Sequence, residues 1–121
     1  MILVDTSVWV EHLRRREGVL AAALEAGQVL MHPFILGELA CGNLKRRSDV
    51  LSLMRDLPVA PIATEDEALG LIERRRLMGR GIGYIDIHLL ASAILAGTAR
   101  LWTRDKRLAN VADEMALAFV A

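Results

Sequence analysis

Four acidic residues, Asp5, Glu38, Asp86 and Asp105, carry the chemistry of this sequence. Asp5 ends the apolar run Met1-Ile2-Leu3-Val4, and Asp105 follows Leu101-Trp102-Thr103. Either aspartate taken alone reads as a helix cap or turn residue. Glu38 differs, because Phe34 and Ile35 share its helix face at four- and three-residue spacing. Asp86 likewise has Leu89, Leu90 and Ala93 on its side of a helix. A carboxylate buried on such a face needs a partner, since ionised groups out of water cost several kcal/mol unless paired or metal-bound. Neither Glu38 nor Asp86 has a lysine or arginine within four residues on its own helix. A hard divalent cation would satisfy all four at once.

Mg²⁺ or Mn²⁺ takes oxygen ligands, usually a few carboxylates with waters and substrate phosphates. Such an ion activates water for in-line attack on phosphorus and neutralises charge on the leaving oxygen. Metal-dependent phosphodiester hydrolysis is the reaction expected. Zinc is disfavoured, because His12, His32 and His88 are scattered and Cys41 has no neighbouring ligand. Four carboxylates without metal repel one another, so activity should weaken at acid pH.

The elements that must bring these residues together follow from the pattern of apolar runs and breakers. The opening run reads as a strand buried on both faces, with Asp5 at its C-terminal end. Thr6 or Ser7 is placed to cap a helix that runs through Trp9, Val10 and Leu13 to Arg14-Arg15-Arg16, and a second helix covers Val19 to Glu25 and stops at Gly27. Gln28 to Met31 is a second strand, and Pro33 opens a helix, Phe34 to Leu44. Ser48 caps a helix that Pro58 closes, and Val59 to Ala63 is an edge strand because of Pro61. Thr64 and Glu67 form a capping box for the next helix. The flexible run Gly79-Arg80-Gly81-Ile82-Gly83 leads into a helix from Ile85 to Ala96. Leu101 to Thr103 is a strand, Asp105 to Ala112 a short helix, and Leu117 to Val120 a last strand. Strands alternating with helices predict an α/β chain with a mostly parallel, doubly wound sheet. Ligands sit outside the carboxyl ends of such strands, at the switch point, which would face Asp5 and Asp105 into one crevice.

At 121 residues the chain reads as one domain, 1–121, and 54% hydrophobic with 25% charged residues describes a globular protein. Zero net charge argues against coating nucleic acid by bulk charge, though not against a local basic patch. A lone cysteine and the early Asp5, which leaves no room for a signal peptide, predict a cytoplasmic protein. Ile87 to Ala99, the longest apolar stretch, is too short to span a bilayer.

The segments "VDTSVW", "GELACG", "GIGYIDIHLLASA" and "LWTRDKRL" around the four acids closely resemble PIN-domain ribonucleases, most of all the VapC-type toxins of bacterial toxin–antitoxin pairs. The resemblance runs from Leu3 to about Leu108 and is weakest between Ser48 and Arg76. It implies that Asp5, Glu38, Asp86 and Asp105 bind Mg²⁺ or Mn²⁺, with Thr6, Ser7 and Thr103 supporting the site by hydrogen bonds. It also implies an α/β/α sandwich, endonucleolytic cleavage of RNA, a homodimer, and a cognate antitoxin that occludes the site.

Arg80, Arg104 and Lys106 are placed to hold phosphates beside the metal, although basic clusters at helix ends are commonly only solvated. The glycine run lacks the Lys-Ser/Thr of a P-loop. Trp9 and Trp102 suit the core better than base stacking, and His32 and Cys41 read as structural. Leu20, Leu24, Leu36 and Leu39 fit either a partner groove or the core. A signalling receiver domain is the main rival, but Val59 to Ala63 ends without the required aspartate. An idle metal-binding module is the other, separated from an enzyme by turnover on RNA.

Overall fold

The computed structural model describes every residue, Met1–Ala121. Strand β1 (Ile2–Val4) leads through α1 (Thr6–Arg14) and α2 (Gly18–Glu25) to β2 (Val29–Leu30). Helices α3 (Pro33–Cys41), α4 (Arg47–Arg55), α5 (Glu65–Arg75) and α6 (Tyr84–Ala96) follow, then β3 (Arg100–Trp102) and α7 (Lys106–Glu114). The sheet is parallel with order β2-β1-β3. Seven helices around this sheet make a three-layer α/β/α sandwich. Central β1 pairs Leu3 with Leu30 on one side and Val4 with Trp102 on the other. Both faces of β1 are covered, so Leu3 and Val4 are wholly buried, as expected of a short apolar strand in a parallel sheet.

The outer strands shrink to single parallel bridges, Met31 with Val59 and Leu101 with Ala118. The segment meets β2 through Met31 N–H to Pro58 O (2.8 Å) and Ala60 N–H to Met31 O (2.8 Å), and pairing stops there because Pro33, which has no N–H to donate, turns the chain into α3; Pro61 is tolerated because its nitrogen faces away from β2. Helix α1 is capped by Asp5 rather than by Thr6 or Ser7. Helix α3 ends at Cys41, before Leu44, because Gly42 turns into an extended conformation, and the Arg47 guanidinium then takes the freed Ala40 and Gly42 carbonyls. Helix α4 starts from Arg46 in the left-handed conformation (φ 52°) with no side-chain cap, so Ser48 lies inside it. The Thr64–Glu67 capping box forms as the sequence predicts. Trp9 and Trp102 lie in the core with Leu20 and Leu39, while Leu24 and Leu36 are partly buried against it. No helix is long and apolar enough to cross a membrane.

Candidate metal and catalytic centre

The C-terminal ends of β1 and β3 are tied together where Asp5 N–H donates to Trp102 O (2.9 Å). That bond brings the turn after β3 over the start of α1. Asp5 is buried and accepts three hydrogen bonds: Thr6 N–H on Oδ1 (2.8 Å), and the Ser7 and Thr103 hydroxyls on Oδ2 (2.9 and 2.7 Å). Main-chain donors dictate where those hydroxyl protons go. Arg104 N–H donates to Ser7 Oγ (3.0 Å) and Asp105 N–H to Thr103 Oγ1 (3.1 Å). Each hydroxyl has one proton, and both protons are directed to Asp5 Oδ2. The 3.4 Å approach of Ser7 Oγ to Thr103 Oγ1 is therefore a contact between two acceptors.

Thr6 reaches the other way, donating from Oγ1 to Glu38 Oε1 on α3 (2.6 Å). Glu38 is exposed, as is Phe34 one turn before it, so burial does not force a partner on Glu38 as the apolar spacing suggested. Asp86, in the first turn of α6, is half-buried and accepts Gly83 N–H on Oδ2 (3.0 Å). Asp105 caps α7, its Oδ1 accepting Arg107 N–H (2.9 Å) and Leu108 N–H (3.1 Å).

One titration joins the four. Burial pushes the Asp86 carboxyl above its usual range, the Gly83 N–H opposes this, and the charges of Asp5, Asp105 and Glu38 push it further up. None of the four acids forms an ion pair with a basic side chain. No three His, Cys, Asp or Glu side chains already surround a common point. Uncompensated like charges hold apart, and Mg²⁺ needs few direct protein ligands because it keeps several waters. An all-oxygen, uncompensated donor set fits a hard cation. It does not fit zinc: His32 is wholly buried and Cys41 is exposed at the far end of α3.

The basic residues expected to hold phosphate divide. Arg80 forks onto Glu114 of α7, and Gly81 (φ +81°) lies so close under Arg107 that a Cβ there would stand 2.6 Å from Arg107 Cδ. The glycine run is thus fastened to α7. Arg104 pairs through Nε with Glu11 (2.8 Å) and through a terminal nitrogen with Glu17 (3.0 Å), its guanidinium lying 5.5 Å from the Trp102 ring centre. Lys106 is exposed and takes part in none of the ion pairs.

Sequence reasoning missed Glu11, Glu17 and Glu114, because their partners lie 93, 87 and 34 residues away. It also missed His32 as the cap of α3, where Nδ1 accepts Phe34 N–H (3.0 Å). Burial, helped by neighbouring His88, lowers His32 to about 4. A concavity of about 870 Å³ lies between the end of α1 and α4, and none of the four carboxylates lines it. Val10, Leu13, Leu44, Val50 and Leu53 make it apolar, with Arg14, Lys45 and Arg46 among its charged residues.

A family model described as PIN domain matches residues 2–114. The chain is 50% identical over 118 residues to ribonuclease VapC32 of Mycobacterium tuberculosis strain CDC 1551 / Oshkosh, a match covering 98% of this chain and 95% of that protein. The protein of the same name in strain ATCC 25618 / H37Rv gives the same figures.

Proposed function

The chain belongs to the PIN-domain family, and from that premise we propose that it is a divalent-metal-dependent endoribonuclease and the toxin of a toxin–antitoxin pair. The observation that carries this reading is the hydrogen-bonded chain that runs from Glu38 through Thr6 to Asp5 and from Asp5 through Thr103 to the main chain of Asp105, with no ion pair on any of these acids. These four residues would hold Mg²⁺, with Mn²⁺ able to replace it. When bound, such an ion supplies Lewis acidity toward water and the phosphoryl oxygens.

The chain's own residues do the rest. Ser7 and Thr103 fix the Asp5 carboxylate with Oδ2 toward them, and Thr6 holds Glu38. Of the three basic candidates, Lys106, on the first turn of α7 beside Asp105, is the one outside any ion pair and would take an RNA phosphate. Arg80 and Arg104 would first have to leave their carboxylates. The apolar, basic-edged groove beside α4 suits an acidic amphipathic segment of a cognate antitoxin. A homodimer completes the reading, and light scattering on the purified chain tests it.

The main test is cleavage of a mixed RNA pool by the purified chain with Mg²⁺ or Mn²⁺ against chelator, with Asp5→Asn and a DNA pool in parallel. Metal-dependent internal cuts in RNA, lost in the variant, are expected. Intact RNA in the presence of folded, metal-loaded, partner-free protein would sink the nuclease and favour an idle metal-binding module.

A further inference from the structure

Arg104 sits between two residues of the centre, Thr103 and Asp105, yet its side chain turns away from both. Nε meets Glu11 on α1, a terminal nitrogen meets Glu17 at the cap of α2, and the guanidinium lies over Trp102. Exposed ion pairs taken singly hold little. Here one planar guanidinium is held by two carboxylates and an aromatic ring at once, which fixes its orientation as a lone pair does not. Glu17 is itself held, because Oε1 accepts Val19 N–H (3.2 Å) and its main-chain N–H donates to His12 Nδ1 (3.0 Å). The side chain therefore clamps the β3–α7 turn to the α1–α2 corner. The same turn presents the Arg104 and Asp105 N–H groups that orient Ser7 Oγ and Thr103 Oγ1.

We propose that Arg104 is a positioning residue: its fork onto Glu11 and Glu17 sets the β3–α7 turn so that two main-chain N–H groups aim the Ser7 and Thr103 hydroxyls at Asp5. The proposal rests on the nuclease reading for its kinetic consequence, but its structural consequence is separate. Slackening the fork lets the turn shift, and Asp5 and Asp105 lose their relative placement together. Arg104 acts through the main chain and not by touching RNA. Groups one step removed from a metal site commonly change affinity or turnover by ten- to a hundredfold.

The test compares Glu11→Gln/Glu17→Gln, Arg104→Ala, Arg104→Lys and the triple combination with wild type. Mn²⁺ affinity is read by calorimetry, kcat and KM on RNA by kinetics, and integrity by a cooperative melt. Gln at position 17 keeps an oxygen for Val19 N–H, so the cap of α2 survives. The expected result is Mn²⁺ binding weakened roughly tenfold and kcat lowered by a similar factor, with KM unchanged. Arg104→Lys should recover only part of the loss, since an ammonium cannot fork. The Glu substitutions should add nothing once Arg104 is alanine, because all act through one guanidinium. A lower KM with kcat unchanged in Glu11→Gln/Glu17→Gln would overturn the proposal and make Arg104 a phosphate ligand held in reserve. So would unchanged Mn²⁺ binding, or losses that add in the triple variant. If wild type cuts no RNA, the nuclease reading fails while the Mn²⁺ measurements still decide the positioning role.

Discussion

His32 gives the chain an acid-sensitive joint whose size follows from its surroundings. The ring is wholly buried, Nδ1 accepts the Phe34 N–H that starts α3, and Nε2 has no partner. Protonation at Nδ1 would forfeit the cap and place a charge in the core beside His88. Burial and His88 accordingly lower the group from an ordinary 6.5 to about 4. Between those values the unfolded chain takes up a proton that the folded chain refuses, so stability falls as pH drops through that window. At 1.36 kcal/mol per tenfold change, the full loss is ~3 kcal/mol. Asparagine is a good helix cap that does not titrate in this range, so His32→Asn keeps an acceptor for Phe34 N–H and removes the proton site. Urea unfolding of both proteins in chelator between pH 7.5 and 4 is the assay. Wild type should lose about 3 kcal/mol more than the variant over this range. Parallel loss in the two proteins would refute the reasoning.

Two further expectations follow from the acidic centre. Thr103→Val removes a hydrogen bond to a charged oxygen, worth about 1.5 kcal/mol in a half-buried setting. The melting temperature should then fall by about 6 °C, and Mn²⁺ affinity should fall as well; a melt within one degree of wild type, measured calorimetrically, would show that Thr103 does not hold Asp5. Asp86→Asn should raise the melting temperature of the metal-free chain at neutral pH, because the raised carboxyl marks an ionised form that the fold disfavours. The same variant should lose Mn²⁺ binding and RNA cutting. In metal-free wild type, the Asp86 contribution strengthens stability as pH falls through the raised carboxyl range, opposite in sign to His32, and Asp86→Asn should abolish that part of the pH profile.

What the sequence discloses is local. Met1 to Val4 cannot be a helix and must be covered on both faces, which is enough to put β1 in the middle of a parallel sheet with Asp5 at its mouth. Thr64 and Glu67 announce their helix because the cap and its reciprocal bond lie three residues apart. The outer strands are overread because whether Val59 or Ala118 extends a sheet depends on a partner strand far away in the chain. Glu38 misleads for a related reason. The apolar residues around it are real, but α3 turns Phe34 and Glu38 outward together, and no spacing rule says which stripe of a nearly all-apolar helix meets the core. The fates of Arg80 and Arg104 depend on glutamates that only the fold brings near.

Asp5 and Asp105 each cap a helix, and Asp86 lies in the first turn of another. Three of the four negative charges therefore stand at the positive ends of helices, each equivalent to roughly half an elementary charge. Peptide dipoles do here what lysines or arginines do in an ordinary buried acidic cluster, with one difference: a dipole cannot leave its place and bind across the carboxylates. The protein can gather like charges at the carboxyl ends of the strands without an internal cation to occupy the position that Mg²⁺ would take. Glu38, midway along α3, has no such helix end, and Thr6 supplies its hydrogen bond instead.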